Sequence, residues 1–467
     1  MRNFVLVPEA LVVVGALALV LSSRVRRRPR WWLPTAVTAL VLVAFGVELW
    51  VGSFLASFFG GALVQDRFAL FAKAAVLLSA ALAIAITDWS DEDAPAISMA
   101  MILLAAFGGM VVASAGDFVG LWAGLELAAA AGVVLVSLRR TDLGLRLLVV
   151  GGVASALVLI GFAFVYAAAG TADLSSVRGA FRGAGVTLPF AIPVMVLLGG
   201  LAVRAGLPPF HVATAPFGLS ASPLGAGMVI GLVAVAALMV ATKLAAALTL
   251  VPAAFSPFLM VVAAVAMVGG GAAALATRSP RARLAYLAAG QAGWIAAGFA
   301  THYRAGLGSS LFLLGAFALA ATTGPAAMAD ADAGEFALAG MGLLRPARAA
   351  AIAFSFLSLA GAPPVAGFFG EFAVAASLAQ GRNFWLLALG LLGAVLSVAA
   401  AVGTLRAIYL QSPPDESRRS AGARLPLLTR LSTAGAVALC VAIAGYGVFA
   451  NPIISLADQG AEALGLR

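Results

Sequence analysis

Apolar stretches dominate the chain. A membrane-spanning helix needs roughly 20 predominantly apolar residues. Stretches of that length recur from Phe4 to Phe449, separated by short polar or Pro/Gly-marked turns, and about fourteen can be counted. The pattern predicts an all-α, polytopic membrane protein. The first stretch lacks a basic start and is followed by many others, so it reads as a helix and not as a cleaved signal.

Composition agrees with lipid as the main solvent. Of 467 residues, 63% are hydrophobic and 10% charged, and the mean hydropathy is +1.08. The net charge of +9 is spread in a way that argues against nucleic acid. Eighteen arginines fall in one set of alternate loops, including Arg24 to Arg30, Arg139, Arg140, Arg278 and Arg281, while seven fall on the other side. The positive-inside rule then predicts a cytoplasmic first loop and both termini on the periplasmic or extracellular side. Trp31, Trp32 and Trp89 stand at helix ends, as an aromatic belt requires. Cys440, the single cysteine, excludes an intrachain disulfide, and neither zinc nor an iron–sulfur cluster has enough ligands. The chain is expected to hold no redox centre. Gly269, Gly270 and Gly271 follow no strand and read as helix packing rather than a dinucleotide loop.

The longest polar pieces, roughly residues 170–187, 329–347 and 411–428, are too short to fold alone. A weak internal repeat is more informative. LAVRAGLPPFHVATAPFG (201–218) and LSLAGAPPVAGFFGEFA (357–373) each place a double proline inside a long apolar stretch. Pro208–Pro209 and Pro363–Pro364 remove backbone donors and force a break. Paired breaks of this kind line polar cavities near the bilayer midplane in transporter-like folds, although membrane helices also tolerate ordinary proline kinks.

Ionisable residues stand beside both breaks. Glu126 lies deep in GDFVGLWAGLELAAAAGVVLV. An isolated charge there costs at least about 2.5–3.5 kcal/mol, so it should face a partner or water. Arg204, four residues before the first double proline, is its natural partner. Arginine does not release its proton in proteins, so Arg204 can bias a proton but not relay one. Only two of the 28 basic residues are lysines, Lys73 and Lys243. Lys243, inside the stretch 223–250, is a candidate for a removable proton, whereas Lys73 sits nearer a helix end; snorkelling is the alternative for both. Glu371, in GFFGEF, and His211, in PPFH, follow the breaks and can titrate. Gln291 and Tyr286 offer neutral hydrogen-bonding groups between the halves. Glu9 and His302 read as solvated helix-end residues, and Glu48 is deeper with no partner to name.

These strings resemble the antiporter-like membrane subunits of respiratory complex I, most closely the N-type subunits of bacterial NADH-quinone oxidoreductase. DFVGLWAGLEL (117–127), RAGLPPFH (204–211), RLAYLAAGQAGW (283–294) and SLAGAPPVAGFFGEF (358–372) carry the likeness, with FGGALVQDRFALFAK (59–73) resembling the third-helix region. The resemblance implies fourteen helices with two inverted five-helix repeats, each holding one broken helix. It divides the chain into three N-terminal helices (1–94), a first antiporter-like half (95–250), a second half (251–410), and a C-terminal loop and last helix (411–467). The family's glutamate falls on Glu126 and its central histidine or glutamine on Gln291. The lysine of its first broken helix falls on Arg204, its next lysine near apolar Val233, and the lysine of the second break on Glu371.

The implied function is proton conduction in the membrane arm, coupled to quinone reduction elsewhere in the complex. Glu126, Arg204, Lys243, Gln291, Glu371 and His211 are the candidate path or switch residues. NADH, flavin, iron–sulfur clusters and quinone are expected in other subunits. Expected partners are M-type and L-type antiporter-like subunits, small membrane subunits and the lipid bilayer, in a bacterial inner membrane. The alternatives are a non-pumping structural subunit, or a cation/proton antiporter or membrane-hydrogenase-linked subunit.

Overall fold

The computed structural model describes residues 4–25, 32–52, 54–89, 92, 94–181, 188–210, 222–301, 303–328, 338–412 and 426–465. His211 and His302 lie outside them. Three helices come first: α1 (Val7–Val25), α2 (Leu33–Val51) and α3 (Arg67–Ile86). A short hairpin, β1 (Ala56–Phe58) and β2 (Leu63–Gln65), lies between α2 and α3, with Ala56 opposite Gln65. Gly60 and Gly61, at φ 68° and 104°, make its turn possible. The apolar pattern does not predict these strands.

Next come α4 (Pro95–Ser114), α5 (Phe118–Ser137), α6 (Thr141–Ala169), a short α7 (Leu174–Ala180), α8 (Leu188–Ala205), which ends at the first break, and α9 (Pro223–Ala247). They are followed by α10 (Ser256–Ala276), α11 (Pro280–Ala300), α12 (Arg304–Ala327), α13 (Pro346–Leu359) and α14 (Ala366–Gln380), which flank the second break, and α15 (Phe384–Leu410). Two more helices end the chain, α16 (Pro426–Val448) and α17 (Ala450–Ala463). Ten of the described helices are long and apolar enough to cross a membrane, and three shorter apolar helices accompany them. With α11 added, and α13–α14 taken as one interrupted pass, the described helices make the expected fourteen passes.

Helix starts follow local chemistry. Asp66 accepts from the Ala69 N–H at 2.7 Å to cap α3, and Asp117 accepts from Gly120 at 2.7 Å to cap α5. Proline occupies the first turn of α4 and α11. At the arginine-rich end, side chains close helix C-termini: Arg348 donates to the Ile86 carbonyl at 2.9 Å and Arg283 to Thr277 at 2.7 Å.

Apolar surface does not say which helices are central, because lipid and protein interior are equally apolar. Packing says it. The α9 segment is 100% buried and α12 94%, against 33% for α15. Close crossings use glycine in the α4–α5 and α10–α11 pairs. A Cβ on Gly108 of α4 would stand 2.6 Å from the Gly124 carbonyl of α5, and one on Gly270 of α10 would stand 2.7 Å from the Gly290 amide of α11. Within the Gly269–Gly271 run, Gly270 packs on α11 and Gly271 on Gly393 of α15, whereas Gly269 faces open space.

Candidate functional site

The two breaks share one backbone. Helix α8 ends as the Gly206 N–H donates to Val203 at 3.2 Å and the Leu207 N–H to Ala202 at 2.9 Å. Helix α13 ends as Gly361 donates to Ser358 at 3.2 Å and Ala362 to Leu357 at 2.9 Å. This paired bonding, with a left-handed glycine just past the helix, is the Schellman cap. Gly206 and Gly361 have φ of 69° and 66°, and both following Pro–Pro bonds are cis. The chain after Phe210, with His211, lies outside the described residues.

Arg204 occupies the last turn of α8, where exposed carbonyls favour a cation. Its Nη2 donates to Glu126 Oε1 at 2.5 Å, joining α8 to α5. The arginine side chain is 8% exposed and the glutamate 30%, so the pair opens on the glutamate side. Room for the guanidinium comes from Gly151 of α6, where a Cβ would stand 3.1 Å from Nη1. Trp122 Nε1 donates to Ser155 Oγ at 2.9 Å and ties α5 to α6 beside the pair. A small cavity next to Arg204 is lined by Ala129, Leu147, Gly151, Val229 and Val233. Val233 thus lines the same cavity as Arg204 and closes the π-helical turn Met228–Val233 of α9. Such turns often mark functional positions.

At the second break the charge comes after the gap. Glu371, in the second turn of α14, is buried and folds back so that a Cβ on Gly361 would stand 2.7 Å from its Oε1. Gln291 of α11 lies beside it and donates through Nε2 to the Ser358 carbonyl at 2.7 Å. Gly367 leaves room for that amide. Between the breaks, α9 rides on α12 where Gly231 meets Thr322. Arg204 Nε, Thr322 Oγ1, Gln291 Oε1 and Ser358 Oγ are buried without a partner among the described residues, polar atoms of the kind that hold buried water.

Lys243 is buried but joins neither pair. Its Nζ donates to the Ala115 carbonyl at 2.6 Å and sits 5.1 Å from the centre of the Phe68 ring. It stands at the end of α4 opposite the arginine-rich loops, beside Asp66 rather than on the Arg204 side. The N-terminal helices hold a cluster that the sequence reading did not assemble. Lys73 is 1% exposed rather than snorkelling, because Glu9 and Gln65 both accept from its Nζ, Gln65 at 2.6 Å. Glu48, fully buried, accepts from Gln65 Nε2 at 2.7 Å, and Glu9, 12% exposed, pairs with Lys73 instead of standing in solvent. A partnerless deep glutamate and a lysine surviving in an arginine-rich chain were the available signals.

Residues 115–397 match the family described as NADH:quinone oxidoreductase/Mrp antiporter, transmembrane. The chain belongs to this family. The matched region holds Glu126, Arg204, Lys243, Gln291 and Glu371, and leaves Glu9, Glu48 and Lys73 outside. NADH-quinone oxidoreductase subunit N of Granulibacter bethesdensis is 30% identical over 98% of this chain and 98% of its own length. Among solved structures, a chain of respiratory complex I from Thermus thermophilus aligns over 96% of this chain and 98% of its own, with a TM-score of 0.79 at 23% identity. A chain of the Mrp complex from Dietzia sp. DQ12-45-1b aligns over 99% and 98%, with a TM-score of 0.81 at 20% identity. At such identities these two likenesses concern the fold.

Proposed function

We propose that this family member is an N-type, antiporter-like membrane-arm subunit of a proton-translocating NADH-quinone oxidoreductase and conducts protons across the bilayer. The observation that carries this reading is the Glu126–Arg204 pair at one break, matched by Glu371 and Gln291 at the other. Arg204 keeps its proton and acts as a fixed charge, biasing Glu126 as the two separate or close. Glu371 is the group at the second break that takes and gives up a proton. Polar atoms of Thr322, Gln291 and Ser358 order water between the breaks. Lys243, buried and bonded to the Ala115 carbonyl, lies toward the end opposite the arginine-rich loops. The subunit carries no redox centre; NADH, flavin, iron–sulfur clusters and quinone belong to other subunits. M-type, L-type and small membrane subunits are its neighbours in a bacterial inner membrane, with both termini periplasmic or extracellular.

Glu126→Gln and Glu371→Gln in the assembled enzyme test this, read as protons moved per electron during NADH oxidation. A fall in both supports conduction, and an unchanged ratio in both leaves only a bracing role. The likeness to the Mrp chain favours a second reading, a cation/proton antiporter subunit. Proton movement driven by an imposed Na⁺ gradient without NADH oxidation would select it.

A further inference from the structure

The buried cluster of α1–α3 has an unbalanced charge. Glu9 and Glu48 contribute two carboxylates, Lys73 one ammonium, and Gln65 none. Lysine only donates, so the Gln65 carbonyl oxygen must face Lys73 and its Nε2 must face Glu48. Glu48 Oε1 is thereby occupied as an acceptor. Glu48 Oε2 and Glu9 Oε2 are buried with no partner among the described residues. Glu48 and Lys73 are 0% and 1% exposed, and a Cβ on Gly52 would stand 3.1 Å from Glu48 Oε1, so the glycine admits the carboxylate. Of the four residues Glu9 alone reaches the surface, at 12% exposure.

Among the described residues, surrounding elements do not correct the imbalance: α12 and α16, both packed on α3, carry only Arg304, which pairs with Glu462, and the exposed Arg430. Asp66 spends its carboxylate on the α3 N-terminus, and Lys243 gives its ammonium to the Ala115 carbonyl. Helix α4, packed on α1, carries no charged side chain. Helix α17, packed on α3, brings Asp458 and Glu462, the latter paired with Arg304. Among the described residues, Glu48 is linked through Gln65 to Lys73, and Lys73 in turn to Glu9. An unbalanced buried carboxylate is compensated by binding a cation, and the smallest is a proton.

We propose that Glu9, Glu48, Gln65 and Lys73 form a second proton-binding site, outside the two antiporter-like halves, in which Glu48 Oε2 holds an exchangeable proton. Binding converts the Glu48 carboxylate to the acid and leaves Lys73 charged against Glu9, so the cluster becomes neutral. Exchange with solvent runs by way of Glu9. The site depends on α1, α2, β2 and α3 and stands whether or not the Glu126–Glu371 axis conducts.

Infrared difference spectroscopy of the assembled complex, with sodium-free buffer as one arm, tests it. The wild type should show a carboxylic-acid carbonyl band at neutral pH that is missing in Glu48→Gln. Glu9→Gln should also abolish the band although Glu48 is intact, because removing one negative charge makes the cluster neutral without the proton. That second variant keeps the test alive if Glu48→Gln fails to assemble. No such band in the wild type, or a band surviving in Glu9→Gln, overturns the proposal. A band that appears only when Na⁺ is withdrawn overturns it too, in favour of a metal cation.

Discussion

The two helix breaks have the same backbone and opposite electrostatics. At the first, the cation Arg204 precedes the gap and sits among the terminal carbonyls of α8, bound to an anion on another helix. At the second, the anion Glu371 follows the gap and folds back toward the start of α14, where free N–H groups favour negative charge. The terminal carbonyl of Ser358 is met by a neutral amide, Gln291. One geometry thus accepts either sign, provided the charge lies on the side of the break that its helix end prefers. The first break is an ion pair between two helices, and the second holds a single buried acid with no countercharge bonded to it among the described residues.

Unequal damage should follow. Glu126→Leu strands the buried Arg204 and should destabilise the subunit by about 3 kcal/mol, the low end for a broken buried pair because Glu126 is 30% exposed. Thermal unfolding and assembly on native gels measure this. Glu371→Leu strands no countercharge and should assemble far better while losing translocation; equal loss of assembly in the two variants breaks the contrast.

Backbone effects come next. Gly206→Ala and Gly361→Ala should each cost about 1–2 kcal/mol, because both glycines are left-handed. Gly361→Ala should be the worse, since its methyl meets Glu371. The same melting measurements rank them, and a harmless Gly361→Ala argues against the shared cap. Gln291→Leu should cost about 1 kcal/mol through the lost bond to Ser358. Smallest of all, Arg304→Ala removes a half-exposed pair with Glu462 and should shift stability by under ~1 kcal/mol.

Much of the site could be read from the chain. The double prolines located both breaks, and Glu126 and Arg204 were matched because each is too expensive alone in lipid. Other features were invisible for physical reasons. Glu9, Glu48, Gln65 and Lys73 come from four separate elements, so no spacing links them. Lys243 lies on a helix that is apolar all round, and its direction follows from rotation against α3 and α4 rather than from periodicity. The β1–β2 hairpin is three residues a side, too short for an alternating pattern to register.

By itself the sequence determined the solvent, the number of passes and the places where helices must stop. These follow from local quantities: apolar length, missing backbone donors and the glycine that a left-handed cap requires. Tertiary structure alone decided which helices are central, which way each buried charge faces and which charges meet. In a membrane protein both faces of a helix are apolar, so only packing chooses between lipid and a partner. Lys73, joined to Glu9 and Gln65, shows the result of that choice.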